Sequence, residues 1–182
     1  MSAELLVRYG VIPEVGRFPC PLEAAPPRGE RVVLLTHRGE QVGVVLEKLP
    51  SRSSTSSDED TAAGDDSAEP SGPSVLRIAT PEDRRTDEQL RTEAQAQFTQ
   101  WQRQFVDWNL QLELLDLEWT LDRGKLVVYV LGGRGPDTTR LALLAAAAGQ
   151  GPIEVQPVTA DGLVPLERSG GGCGSGGCGC SH

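Results

Sequence analysis

Four residues near the C-terminus have the types and spacing to hold a metal: Cys173, Cys178, Cys180 and His182. Three thiolates and an imidazole form a tetrahedral set for zinc, or hold an iron–sulfur cluster. The surrounding chain is Gly-rich, and ordering about ten such residues costs on the order of 10–20 kcal/mol. A structural zinc returns roughly 10–16 kcal/mol. The two nearly cancel, so two readings stay open: a flexible tail with reactive thiols, or a site completed by a partner. Asp116 and Glu118 lie two apart in a strand-like run and so share a face. Such a pair can do acid/base work or bind a metal, or lie on a solvated face against a basic partner. Arg134, in the loop from Gly132 to Pro136 between a strand and a helix start, is placed to face an anion together with the loop amides. The plain alternative is an ordinary connection, since no Walker Lys-Ser/Thr follows. His37 sits in turn punctuation and reads as structural or exposed. The two histidines, and the lack of any G-x-S-x-G or H-E-x-x-H, give no nucleophile–base constellation. The expectation is a protein without catalytic residues of its own.

The elements that must position these groups are legible from patterning. Residues 4–50 read as a β lobe. Arg31 to Leu35 and Gln41 to Leu46 are β-branched runs separated by His37-Arg38-Gly39-Glu40, a hairpin signal. Arg17 to Pro27 is Pro-rich and expected to be irregular or at an edge. Gly29 and Gly43 suggest a small twisted sheet or partial barrel. Residues 51–74 contain no apolar side chain larger than Pro and read as a disordered acidic insertion. Val75 to Ala79 resumes a strand. Thr80-Pro81-Glu82-Asp83 starts a helix.

Leu90, Ala94, Phe98, Trp101, Phe105 and Trp108 then fall on one stripe, predicting an amphipathic helix of about 25–28 residues. Trp108, at its end, is the ring most open to a partner. Leu115, Leu117, Trp119 and Leu121 alternate as the inward positions of a strand. Asp122-Arg123-Gly124 turns it back into a more buried strand, Lys125 to Leu131. Asp137 is expected to cap a short helix from Thr138 to Ala148, stopped by Gly149. Ile153 to Val158 is a last strand, which Pro157 places at an edge or ends. The fold class is α+β: a hairpin-rich N-terminal lobe, one long helix, then hairpin, short helix and strand on a mainly antiparallel sheet. Residues 75–158 form the second region, and residues 159–182 a flexible Gly/Cys-rich tail.

Charge and composition exclude some roles. The net charge is −9, of which residues 51–74 supply −5, so a broad basic nucleic-acid surface is disfavoured while a local basic patch is not. No apolar run approaches the roughly 18 residues of a membrane helix. Glu4 and Arg8 interrupt the early apolar run, so no secretory signal is read. Only Cys20 lies in the body, which favours a reducing cytoplasm over a disulfide framework.

Several segments resemble one family. Val75-Leu76-Arg77-Ile78-Ala79-Thr80-Pro81-Glu82-Asp83 is similar to the "vlR-at-eD" approach to the long helix of YaaT/RicT proteins, also called the polymerase-suppressor C-terminal domain family. Leu114 to Val130 resembles that family's "lvDvEytfDgsKlifyf" hairpin, with Asp116, Glu118, Asp122 and Lys125 on matching positions. Arg31 to Val44 resembles its "vvvet.rG.e.G.V" hairpin at Arg38, Gly39 and Gly43. The chain departs at Gly133 to Leu141, after the short helix, and at the family's cysteine motif, which has no counterpart in place. The resemblance implies a cytoplasmic regulatory adaptor or scaffold in RNA maturation or signalling. Bacterial relatives join two small helical partners, associate with a ribonuclease, and carry iron–sulfur clusters. The cysteines do not align, so cluster binding does not carry over. The expected partners are other proteins in a multi-protein complex, with no direct nucleic acid and no membrane. The alternative is a metal or iron–sulfur protein using the tail.

Overall fold

The computed structural model describes residues 3–50, 72–132 and 135–164. Arg134, the tail residues Cys173, Cys178, Cys180 and His182, and most of the acidic insertion lie outside the described residues. Ser74, assigned above to that insertion, is buried and opens a strand.

Two sheets carry the α+β fold. The first is antiparallel, with order β2-β1-β4-β3-β5, built from β1 (Ala3–Tyr9), β2 (Glu14–Cys20), β3 (Arg31–Thr36), β4 (Gly39–Leu49) and β5 (Ser74–Ile78). Its end strands β2 and β5 approach each other, so the sheet curls toward a partial barrel. Alternation along the strands puts Leu5, Val7, Phe18, Val32, Leu34, Val45 and Val75 into one buried cluster. The Pro-rich segment expected at an edge begins on β2, whose position at the end of the sheet accommodates Pro19.

Between the sheets runs α1 (Pro81–Asp107), 27 residues long. Thr80 Oγ1 accepts from Asp83 N at 3.1 Å, and Asp83 Oδ2 accepts from Thr80 N at 2.8 Å, so the capping box satisfies two orphan donors. Arg77, on β5, ion-pairs with the same carboxylate. That hydrogen bond, helped by the Thr80 donors against burial, holds the Asp83 acid down at about 2. The helix stops in a left-handed cap: Asn109 has φ 50°, Leu110 N donates to Phe105 O and Asn109 N to Val106 O.

The second sheet has order β6-β7-β8-β9: β6 (Glu113–Trp119), β7 (Leu126–Leu131), β8 (Ile153–Thr159) and β9 (Gly162–Leu163). Strands β7 and β8 are parallel, linked by α2 (Pro136–Ala147). Both helices cover one face, where Trp101 and Phe105 of α1 and Leu141 and Ala145 of α2 meet Leu117, Leu126, Val128 and Val130. Burying such side chains contributes roughly 1.5–3 kcal/mol each. Every residue of β7 from Leu126 to Val130 is buried, because its other face is covered too, by Ile12, Leu115 and Leu163.

Three local expectations are corrected. A register shift between Leu114 and Asp116 breaks the alternation of β6. Leu114 and Leu117 therefore join the helix-covered core, while Leu115 packs on the opposite cluster and Leu121 is only half-buried. The N-cap of α2 is Gly135, not Asp137, because Pro136 takes the first helical position, where its fixed φ fits. Strand β8 is not an edge. Pro157 accepts from Val164 N at 3.0 Å, and the Gln156 side-chain amide donates to Val164 O at 2.9 Å in place of the N–H that Pro157 lacks.

Candidate functional site

The hairpin joining β3 to β4 reaches across to the second sheet, and its tip carries His37 and Arg38. Gly39 makes the turn at φ 131°, and a Cβ there would sit 3.2 Å from Thr120 Cγ2. Leu121 N donates to Glu40 O at 2.7 Å, tying the tip to the end of β6.

Arg38 is the largest fully buried side chain in the described protein. Its guanidinium lies 3.0 Å from Glu14 on β2, and donates to Tyr129 Oη on β7 at 3.4 Å and to Gln156 Oε1 on β8 at 3.3 Å. It also stands 5.8 Å from the centroid of the Tyr129 ring. Burial opposes its charge, but the Tyr129 oxygen, Glu14 and Glu118 outweigh that and raise its pKa. A buried guanidinium needs several partners, and here they come from three strands of two sheets.

The network continues through Glu118. Tyr129 Oη donates to Glu118 Oε2 at 2.5 Å, Val11 N to the same oxygen at 3.2 Å, and Gln41 Nε2 to Oε1 at 2.9 Å. Thr36 Oγ1 donates to Gln41 Oε1 at 3.0 Å. Burial first, then the Glu118 charge, pushes the Tyr129 phenol well above its ordinary range. Burial and Glu14 push Tyr9 up to about 12. At the rim, Lys125 Nζ donates to Glu154 at 2.7 Å, with His37 3.9 Å from the same carboxylate. Burial, then the Arg38 charge, lower the His37 pKa against the pull of Glu154.

Of the residues singled out from sequence, Glu118 enters this network rather than a solvated face. Its two oxygens accept from three donors, which fixes the position of the carboxyl group. Asp116 shares its ladder face but caps its own neighbour, accepting from Leu117 N at 2.8 Å, so the two carboxylates are not brought together as a pair. Trp108 is the C-cap of α1; it is half-buried, edge-on to Trp101 at 6.4 Å. Among the described residues no group of three or more His, Cys, Asp or Glu is placed to hold a metal. None of the described helices is long and apolar enough to cross a membrane.

Sequence reasoning missed Glu14, Tyr129 and Gln156 as partners of Arg38. A signal existed for one of them: Tyr129 is the polar-tipped member of an otherwise apolar stretch on β7. Of the positions that carried the family resemblance, Arg38, Gly39, Glu118 and Lys125 lie at the junction of the two sheets, while Gly43 packs within the first sheet. A Cβ at Gly43 would sit 2.6 Å from Val7 Cγ1 and 2.9 Å from Leu34 Cδ1.

Residues 73–132, spanning β5, α1 and the β6–β7 hairpin, match the PSP1 C-terminal conserved region. No curated protein and no solved structure matches the chain. Over residues 73–132 this chain therefore carries the PSP1 C-terminal conserved region, the domain of YaaT/RicT-type proteins.

Proposed function

We propose that the protein is a non-catalytic adaptor that holds partner proteins in a regulatory assembly. The PSP1 region points to a non-enzymatic regulatory role. The observation that carries the finer reading is an apolar groove between the last turns of α1 and strand β6. It has a volume of about 410 Å³ and is lined by Phe105, Val106, Leu112 and Leu114 among others. Val106 is 78% exposed on its rim, an unusual position for a β-branched apolar residue on a helix otherwise polar on that side. Strand β6 ends the sheet, so the groove is open on its outer side. The occupant that fits is the apolar stripe of a partner helix, laid along the groove against Val106 on its rim. The family resemblance implies small helical partners, and an amphipathic helix is the class of ligand that presents such a stripe.

The test is crosslinked co-purification of the full chain from its native cells. Val106→Asp places a charge in the groove, and partner recovery should fall by roughly tenfold or more. Leu143→Asp, which charges an exposed leucine on α2 instead, should leave recovery unchanged. Equal recovery with the two variants, with helix content intact by circular dichroism, removes the groove from the interaction.

A further inference from the structure

A second cavity, of about 660 Å³, lies between the outer face of the first sheet and the opening turns of α1. Five arginines line it: Arg8 on β1, Arg31 on β3, and Arg84, Arg85 and Arg91 on α1. The chain has only 17 Lys and Arg and a net charge of −9, so this concentration is local, not a property of the surface at large.

Strand register explains how the cluster arises. Arg8 and Arg31 are both ladder partners of Val44, on opposite sides of β4. Residues paired in this way share a face, so the two guanidinium stems flank Val44 across about 9–10 Å of sheet. Val7, Val32 and Val45, one residue on, point into the buried cluster beneath. Burial of that inner face therefore forces both arginines outward, toward α1.

Their charge is only partly neutralised among the described residues. Arg84 pairs with Glu30 at 3.0 Å and Arg91 with Asp87 at 3.6 Å. Arg8, Arg31 and Arg85 make no ion pair among the described residues. Three carboxylates also line the cavity, Glu118 held by neutral donors, Asp87 beside Arg91 and Glu88, so five cations face three anions there. Like charges gathered in a concave site repel one another until an anion enters. The guanidinium fork matches phosphate oxygens two at a time. The rest of the lining includes Tyr9, Val11, Val42 and Val44, an apolar wall beside the charges. A volume of this size suits a small molecule.

We propose that this cavity binds a small phosphorylated ligand of the nucleotide class, its phosphates taken by Arg8, Arg31 and Arg85 and its ring laid against Val42 and Val44. The site is separate from the adaptor groove and does not depend on it.

Isothermal titration of the full chain at fixed ionic strength tests this, with ADP, inorganic pyrophosphate and a short single-stranded RNA as probes. ADP and pyrophosphate should both bind, ADP the more tightly because of the apolar wall. Arg8→Gln and Arg85→Gln should each weaken ADP binding by about tenfold. Neither side chain makes an ion pair among the described residues, and circular dichroism checks that each variant folds. Arg140→Gln, on α2, should bind as the parent does. Absence of ADP and pyrophosphate binding overturns the proposal. So does binding that survives the double Arg8→Gln, Arg85→Gln change, and so does binding of the RNA alone, which would mark a polymer track instead.

Discussion

The Arg38 guanidinium stands 3.0 Å from the Glu14 carboxylate, with the Arg38 side chain 1% exposed and that of Glu14 24% exposed. Glu14 belongs to the first sheet, and the other partners of Arg38, Tyr129 and Gln156, belong to the second. One side chain thus joins both halves of the fold. Arg38→Ala should cost about 3–5 kcal/mol, because it strands Glu14 and leaves Gln156 short of a donor. Arg38→Lys should recover less than half of that, since one ammonium cannot serve three strands at once. Urea denaturation of the three proteins measures both. A loss under 1 kcal/mol for Arg38→Ala would show that the junction does not depend on this residue.

The two tyrosines at this junction set an alkaline limit on stability. Burial raises the folded-state pKa of Tyr9 to about 12 and of Tyr129 further, from an ordinary value of 10.0. A group whose folded pKa is raised contributes stability that is complete below the unfolded value and is lost as pH climbs through the folded one. The protein should therefore lose stability above about pH 10, and Tyr129→Phe should flatten that slope. The phenylalanine should also cost about 1–3 kcal/mol at neutral pH, through the donor lost to Glu118. Melting temperatures from pH 7 to pH 11 would reveal both effects.

At the acid end the sign reverses. Asp83 is held at about 2, below the ordinary 3.8, chiefly by Arg77. The stability it contributes is present above about pH 4 and lost as pH falls toward 2. Asp83→Asn should remove this dependence, and Thr80→Ala, which takes away the other half of the capping box, should cost about 1 kcal/mol at neutral pH. Helix content followed by circular dichroism against urea and pH separates the two.

Gly43 packs against both neighbouring strands. With Val7 Cγ1 at 2.6 Å and Leu34 Cδ1 at 2.9 Å from the position of an added Cβ, Gly43→Ala should destabilise by about 1–3 kcal/mol. Gly29→Ala has open space but a φ of 86°, so its cost should come from backbone strain alone and be smaller. Comparing the two midpoints of thermal unfolding tells packing from strain.

How much of this was legible beforehand depended on the range of the interaction. The aromatic stripe from Leu90 to Trp108 reads directly as a helix, since the period of 3.6 is a property of neighbouring residues, and α1 follows it closely. The β3–β4 hairpin and the tight turn at Asp122-Arg123-Gly124 were legible for the same reason. The alternation of β6 was legible but misleading, because the shift near Leu115 is set by what packs on each face and not by the strand itself.

By itself, the order of residues determined most of the elements: the strands other than β2 and β9, where α1 begins and ends, and that the classes are mixed α+β. Only the docking of one sheet on the other decided that Arg38 is interior and that Glu118 is held rather than presented, and only strand pairing within the first sheet decided that Arg8 and Arg31 flank one valine. Arg38 lies 91 residues from Tyr129 and 118 from Gln156 along the chain. No local pattern encodes such a contact, because it exists only once burial of apolar faces has brought distant strands together and left a buried charge to be satisfied there.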